Sequence, residues 1–83
     1  MAQIYRVGEK PQTISPKNGH KFELEEAWAL IGGHIYMWNI GHGAVMLFDE
    51  DGDLKKLPYN PQASRIAGFP VVGTAIVCRK SEF

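Results

Sequence analysis

The sequence contains a single cysteine, Cys78, among 83 residues. One thiol cannot form an intrachain disulfide, nor can it supply a zinc site built from several cysteines. The three residues before it, AIV, are apolar, which is typical of a buried thiol rather than an activated nucleophile. A Gly-x-Ser-x-Gly nucleophile elbow is also missing. These absences favour a protein that is not an enzyme.

An excess of charge of one sign is missing as well, because nine Lys and Arg residues balance nine Asp and Glu residues. Proteins that bind duplex nucleic acid usually carry a basic excess, since phosphate neutralisation dominates their affinity. We therefore expect no duplex nucleic acid as partner. No segment approaches the roughly 20 apolar residues of a membrane span. The N-terminal residues MAQIYRV contain no signal-peptide core. We expect a cytoplasmic protein that does not bind membranes.

Metal-binding patterns are also scarce. The three histidines, His20, His34 and His42, are widely separated and lack the i, i+4 spacing of paired ligands on a helix. The acidic stretch DEDGD contains one glycine, Gly52, and a calcium loop of the helix–loop–helix type has glycine at its sixth position. A loop that placed Gly52 sixth would begin at Leu47, which supplies no side-chain oxygen. The sequence predicts a hairpin with solvated carboxylates there, and neither a metal ion nor a cofactor.

The overall composition, with 45% hydrophobic and 22% charged residues, is typical of a globular protein. A chain of this length accommodates one hydrophobic core, so we predict a single domain over residues 1–83. A small chain buries a modest share of its surface on folding, and self-association buries more. We therefore predict a homo-oligomer.

The clearest periodic segment is FELEEAWALIGG. Leu24, Ala27, Trp28 and Ile31 are spaced as one apolar stripe on a helix, and glutamates occupy its first turn, where negative charge suits the helix dipole. The pair Gly32-Gly33 follows the helix and is typical of its C-terminal stop. A phosphate-binding loop would place glycines before the helix instead.

Short strands are predicted around this helix. Strand-like composition or alternation occurs in QIYRV, QTIS, HIYMWNI, AVMLFDE, LKKLP and VVGTAIVCRK, and Gly73 in the last of these indicates a bulge or a close backbone approach. The segment YNPQASRIAGF fits a short helical turn with Asn60 as N-cap and Pro61 at the first position. We predict an α+β fold: a small, mainly antiparallel sheet of four to six strands, one amphipathic helix packed on one face, and a short helical turn.

Two segments carry candidate binding residues. His34, Tyr36 and Trp38 alternate along HIYMWNI and form a row of rings that could stack on bases or contact a protein, unless that face belongs to the core. Lys56 and Arg65 could contact phosphates, and Asn60 could read a base edge, unless it serves only as the N-cap.

Several motifs resemble the DUF3846 family, small phage and bacterial domains of unknown function. The matching positions run from about Ser15 onward: Asn18-Gly19, Phe22, Ile31-Gly32-Gly33, Ile35, Asp51-Gly52, Leu57-Pro58, Asn60, Ala63 and Gly73. The chain departs from the family pattern at Glu23, where a threonine is usual, at His34, where an aromatic is usual, and at Tyr36, where an acid is usual.

The resemblance implies a phage or mobile-element origin. Small proteins of this kind often counter host defence by binding, which gives two hypotheses. In the first, the protein sequesters a small, cyclic nucleotide signal between subunits. In the second, it inhibits a host defence complex such as a CRISPR effector through protein contacts. A third alternative is an accessory domain without a defence role.

Overall fold

A computed structural model describes residues 2–83 of the chain. The described residues form one five-stranded sheet in which every pair of neighbouring strands is antiparallel, in the order β2-β1-β5-β4-β3. The strands are β1 (Ala2–Tyr5), β2 (Gln12–Ile14), β3 (Ile35–Gly41), β4 (Ala44–Asp49) and β5 (Ala75–Arg79); the helices are α1 (Leu24–Ile31) and α2 (Pro61–Ala67), with a 3-10 turn at Lys80–Glu82. The predicted α+β fold is confirmed.

Helix α1 packs on one face of the sheet. Its buried residues Ala27 and Ile31 contact a cluster that includes Val45 and Leu47 of β4 and Ile76 of β5. The helix ends at Gly32, which adopts φ 96° and donates its N–H to the Trp28 carbonyl at 2.7 Å. Because only glycine adopts this left-handed conformation at little cost, the predicted helix stop is confirmed.

Helix α2 packs on the opposite face of the sheet. Ala63 lies in a second cluster with Met46 of β4 and Ala75 of β5, residues that alternate with those facing α1. The predicted helical turn is therefore a seven-residue helix that covers its own face. The sequence did not reveal this role because its inward residues are small and leave little hydrophobic periodicity.

Residues 50–56, where a hairpin and a returning strand were predicted, form consecutive turns instead. The cause is Asp49, which is buried rather than solvated. Its carboxylate accepts hydrogen bonds from the Asp51 N–H and the Lys55 ammonium, both at 2.8 Å. These contacts fold the acidic stretch back on itself, so LKKLP, predicted as a short strand or extended segment, forms no strand and continues the turns as far as Lys56.

The segment before β5 passes very close to this turn region. Gly73 has φ 77°, and a Cβ atom at this position would lie 2.7 Å from Cδ1 of Leu57. The close backbone approach predicted at Gly73 is confirmed. It occurs before the strand, which begins at Ala75.

Candidate functional site

Four rings on the α2 side of the sheet form a cluster at the surface, which we call the aromatic cluster: Tyr36, Trp38, Phe48 and Phe69. Tyr36 and Trp38 alternate along the edge strand β3, and Phe48 lies directly opposite Tyr36 on β4. Phe69 follows Gly68, the left-handed residue that ends α2. Strand pairing and a helix end thus bring together rings that are distant in sequence.

Neighbouring rings of the aromatic cluster contact one another. The centroids of Tyr36 and Phe48 are 5.5 Å apart, and those of Phe48 and Phe69 are 6.0 Å apart. Phe69 meets Trp38 edge to face at 5.0 Å and 90°, a favourable arrangement of ring quadrupoles. Because each ring is fixed by at least one neighbour, the surface is pre-formed.

The aromatic cluster lies between core and solvent. Phe48 and Phe69 are half-buried and pack against the α2-side core. Tyr36 and Trp38 remain 45% and 38% exposed. Neighbouring exposed aromatic side chains are typical of interaction sites, so this pair is the candidate binding surface.

His34 does not join this row. It precedes the first residue of β3, and its ring stacks on Trp28 of α1, with centroids 5.1 Å apart. Its backbone carbonyl accepts a hydrogen bond from the Glu50 N–H at 2.9 Å. The predicted row of three rings is therefore a pair, because the strand alternation begins only after His34.

Asn60 is fully buried and occupies the centre of a structural hydrogen-bond network. Its side-chain oxygen accepts from the Ala63 N–H, which makes it the N-cap of α2. Its amide nitrogen donates to the Tyr5 carbonyl at 2.9 Å and to the Gly73 carbonyl at 2.8 Å. Both amide protons are used and the side chain is buried, so it offers a ligand neither exposed surface nor a free hydrogen-bond donor.

The two predicted phosphate-binding cations are both exposed. Arg65 lies in the last turn of α2, and Lys56 ends the 50–56 turn region with a left-handed φ of 54°. Neither side chain forms a hydrogen bond or an ion pair with any residue between positions 2 and 83. In contrast, the neighbouring Lys55 is paired with Asp49 at 2.8 Å.

Other chemistry is sparse over the part of the chain that the structure describes. No group of three or more His, Cys, Asp or Glu side chains there is arranged to hold a metal ion, and no enclosed cavity forms. None of its helices is long and apolar enough to span a membrane. Cys78 is buried, and this burial raises the pKa of its thiol to about 11.

Reasoning from sequence missed Phe48 and Phe69 as members of the surface. Phe48 belongs to an apolar run that reads as core, and Phe69 follows a helix whose packing face was unknown. The available signal was the alternation of Met46 and Phe48 in β4, which puts both on one face. That signal becomes useful only when the pairing of Phe48 with Tyr36 is known.

The fold and the aromatic cluster define a small α+β protein with a two-sided core and a pre-formed ring surface on its edge strand. The chain belongs to the DUF3846 family, described as a domain of unknown function, whose sequence profile matches residues 2–83. No curated protein and no solved structure matches the chain. The motif residues Asn60, Ala63 and Gly73 are buried in the network and core around α2, so these shared features maintain the fold.

Proposed function

We propose that this protein is a non-enzymatic binding protein that captures a small nucleotide on the aromatic cluster. The observation that carries the proposal is the exposed pair Tyr36 and Trp38, held in place by Phe48 and Phe69. Stacking of a base on an aromatic side chain contributes about 1–3 kcal/mol per base. Two neighbouring rings therefore suit a ligand with two bases, such as a cyclic dinucleotide.

Phosphate recognition would fall to Arg65 and Lys56, whose side chains have no partner among the described residues. An unpaired guanidinium is a strong, geometrically specific donor to phosphate oxygens, and a lysine adds a point charge. A balanced net charge is compatible with a small anionic ligand, which needs far fewer cations than a duplex does.

Within this proposal, capture of a nucleotide signal would counter a host defence system. Support for that context is the DUF3846 membership together with the resemblance to small phage proteins, and it is an argument by analogy of family. The proposed nucleotide chemistry does not depend on this defence context, since it rests on the exposed rings and the unpaired cations.

The sequence offers a direct spectroscopic test, because its two tryptophans, Trp28 and Trp38, occupy different environments. In a Trp28→Phe variant, Trp38 is the sole tryptophan and reports on the aromatic cluster. Titration with cyclic dinucleotides and cyclic mononucleotides should give saturable quenching of Trp38 emission and a matching heat in calorimetry. Arg65→Gln should weaken binding about tenfold through loss of one charge-assisted hydrogen bond of roughly 1.5 kcal/mol.

Trp38→Leu should weaken binding roughly 5- to 150-fold in the otherwise unchanged chain, because it removes one stacking ring worth about 1–3 kcal/mol. The matched control is Leu54→Ala, which removes another exposed apolar side chain that lies outside the aromatic cluster, in the 50–56 turn region, and should bind as the unmodified protein does. Flat titrations with every nucleotide of the panel would refute the proposal, as would equal binding by Trp38→Leu.

A protein partner is the second candidate, as an inhibitor of a host defence complex. It is favoured by Met37, which is 45% exposed on the face of β3 opposite to the aromatic cluster. Apolar surface thus continues around the edge strand, and a protein can cover both faces whereas a nucleotide covers one. In that case Met37→Ser and Trp38→Leu should both abolish co-purification with a candidate effector, and nucleotide titrations should be flat.

A further inference from the structure

The outer edge of β3 carries an inference about self-association. In the sheet order β2-β1-β5-β4-β3, strands β2 and β3 occupy the two ends, and no strand of residues 2–83 pairs with the outer side of either. Every second residue of an edge strand directs its N–H and C=O groups outward, where they can pair with another strand.

The two edges differ in how well they resist such pairing. Strand β2 is three residues long, follows Pro11, and exposes the polar residues Gln12 and Thr13. Short length, proline and polar side chains are the usual protections of an edge. Strand β3 is seven residues long and contains neither a charged residue nor a proline between Ile35 and Gly41.

The unprotected edge is also apolar on both faces. Tyr36 and Trp38 are exposed on the α2 side, and Met37 between them is exposed on the α1 side. Three consecutive exposed apolar residues on a free edge are a hazard for a soluble protein unless something covers them.

We infer that a second copy of this chain covers this edge by antiparallel pairing of its own β3. The ladder between β3 and β4 is regular from Ile35 to Asn39 and shifts between Asn39 and Gly41. Full overlap of the regular part centres a two-fold axis on Met37. Tyr36 then lies opposite Trp38 of the second copy, and five strands from each copy form one continuous sheet.

The absence of charge on β3 removes the obstacle that is specific to pairing with a second copy. Two-fold pairing places the axis residue opposite itself and brings the neighbouring side chains of both copies close to the axis, so a charged side chain there would lie beside its like and destabilise the pair. The uncharged sequence of β3 carries no such penalty, and the balanced charge of the whole chain adds no net repulsion between copies. Cross-strand Tyr and Trp pairs are favourable neighbours.

The pairing closes on itself, because each copy uses its β3 edge once and only the short β2 edges remain outside. It also brings the two aromatic clusters to the same face, side by side across the axis. This inference goes beyond the proposed ligand and does not depend on it, since the pairing needs only the edge of β3.

Native mass spectrometry and sedimentation at tens of micromolar protein should report a dimer of twice the 9.3 kDa chain mass. Met37→Lys should convert it to a monomer by placing two ammonium groups opposite each other at the axis. Thr13→Lys is the matched control: it adds the same charge to the exposed β2 edge and should leave the dimer intact. A monomeric unmodified protein, or a Met37→Lys variant that stays dimeric, overturns the inference.

Mixing Met37→Lys with Met37→Glu should restore a dimer that contains one copy of each, because the two side chains now attract. Failure of this mixture to pair, with both variants folded by circular dichroism, counts against the register. Hydrogen exchange of the unmodified protein gives a readout that no substitution can disturb. Outward amides of 35–39 should be protected at concentrations that favour the dimer and lose protection on dilution; unprotected amides in the dimer would exclude the β3 interface.

Discussion

Asn60 joins three parts of the chain through one side-chain amide. It caps α2, ties the end of β1 through the Tyr5 carbonyl, and ties the segment before β5 through the Gly73 carbonyl. Each of these backbone groups is part of the connection between α2 and the sheet. The residue that the sequence marks as a polar candidate for ligand recognition is therefore the polar centre of the fold.

Asn60→Ala should destabilise the protein by about 2–4 kcal/mol, through loss of an N-cap of about 1 kcal/mol and of partners for buried carbonyls. Urea unfolding followed by circular dichroism measures the change. Gln62→Ala is the control, because Gln62 donates to the Glu9 carbonyl at the exposed surface and its loss should cost less than about 0.5 kcal/mol. Similar effects for the two variants would contradict the central role of Asn60.

Ionisation of the Cys78 thiol makes the free energy of unfolding depend on pH. Burial raises the pKa of its thiol from 9.0 to about 11, with a contribution from the Glu82 carboxylate. The unfolded chain therefore ionises this thiol at lower pH than the folded chain does, and its contribution to stability is complete below pH 9 and is lost as the pH rises toward 11. Urea midpoints of the unmodified protein should fall more steeply over this range than those of Cys78→Ala. Parallel curves would contradict the assignment.

At the scale of elements, β5 depends on how the chain enters it. Gly73 has a left-handed φ of 77° and lies against Leu57, so the segment before β5 and the segment after the 50–56 turn region are packed at backbone distance. Only a residue without a side chain permits both the conformation and the contact. The family glycine at this position therefore has a steric cause.

Gly73→Ala should destabilise by about 2–4 kcal/mol, from the left-handed conformation and from displacement of Leu57. Gly8→Ala is a closely matched control, because Gly8 has the same φ of 77° but open space where the Cβ would lie. It should cost only the conformational part, about 1 kcal/mol. Thermal unfolding of the pair separates the two contributions, and equal losses would exclude a steric role for Leu57.

Strand β3 shows how one element serves two surfaces. Its alternation directs Tyr36 and Trp38 to the α2 side, while its position at the end of the sheet leaves its outer backbone groups without a strand among the described residues. The rings support the ligand proposal, and the free edge supports the pairing of two copies. Met37→Lys tests the pairing without altering a ring, since it places a charge on the opposite face, whereas Trp38→Leu removes a ring that is also a cross-strand neighbour in the pairing.

At the scale of the whole molecule, the sheet is covered on both faces by separate clusters. Val45 and Leu47 face α1, and Met46 faces α2, so the central strands are buried on both sides. A core of two thin layers leaves little room for an internal binding site. The candidate binding groups are therefore the rings at the surface. This arrangement explains why the proposed binding surfaces lie at the edge of the sheet.

The elements whose signals are local could be predicted from the sequence. Helix α1 follows from the spacing of Ala27 and Ile31, its end follows from Gly32, and the start of α2 follows from Asn60. These features depend on periodicity, capping and left-handed backbone, which act over a few residues. The same local rules predicted the α+β fold and the close approach at Gly73.

Which side chains meet depends on tertiary contacts that the sequence does not reveal. The register that sets Tyr36 opposite Phe48, the path that brings Phe69 against Trp38, and the stacking of His34 on Trp28 all join distant segments. The burial of Asp49 that replaced a predicted strand with turns is of the same kind. Such contacts depend on strand pairing and helix placement over the whole chain, and no local pattern of residues encodes them.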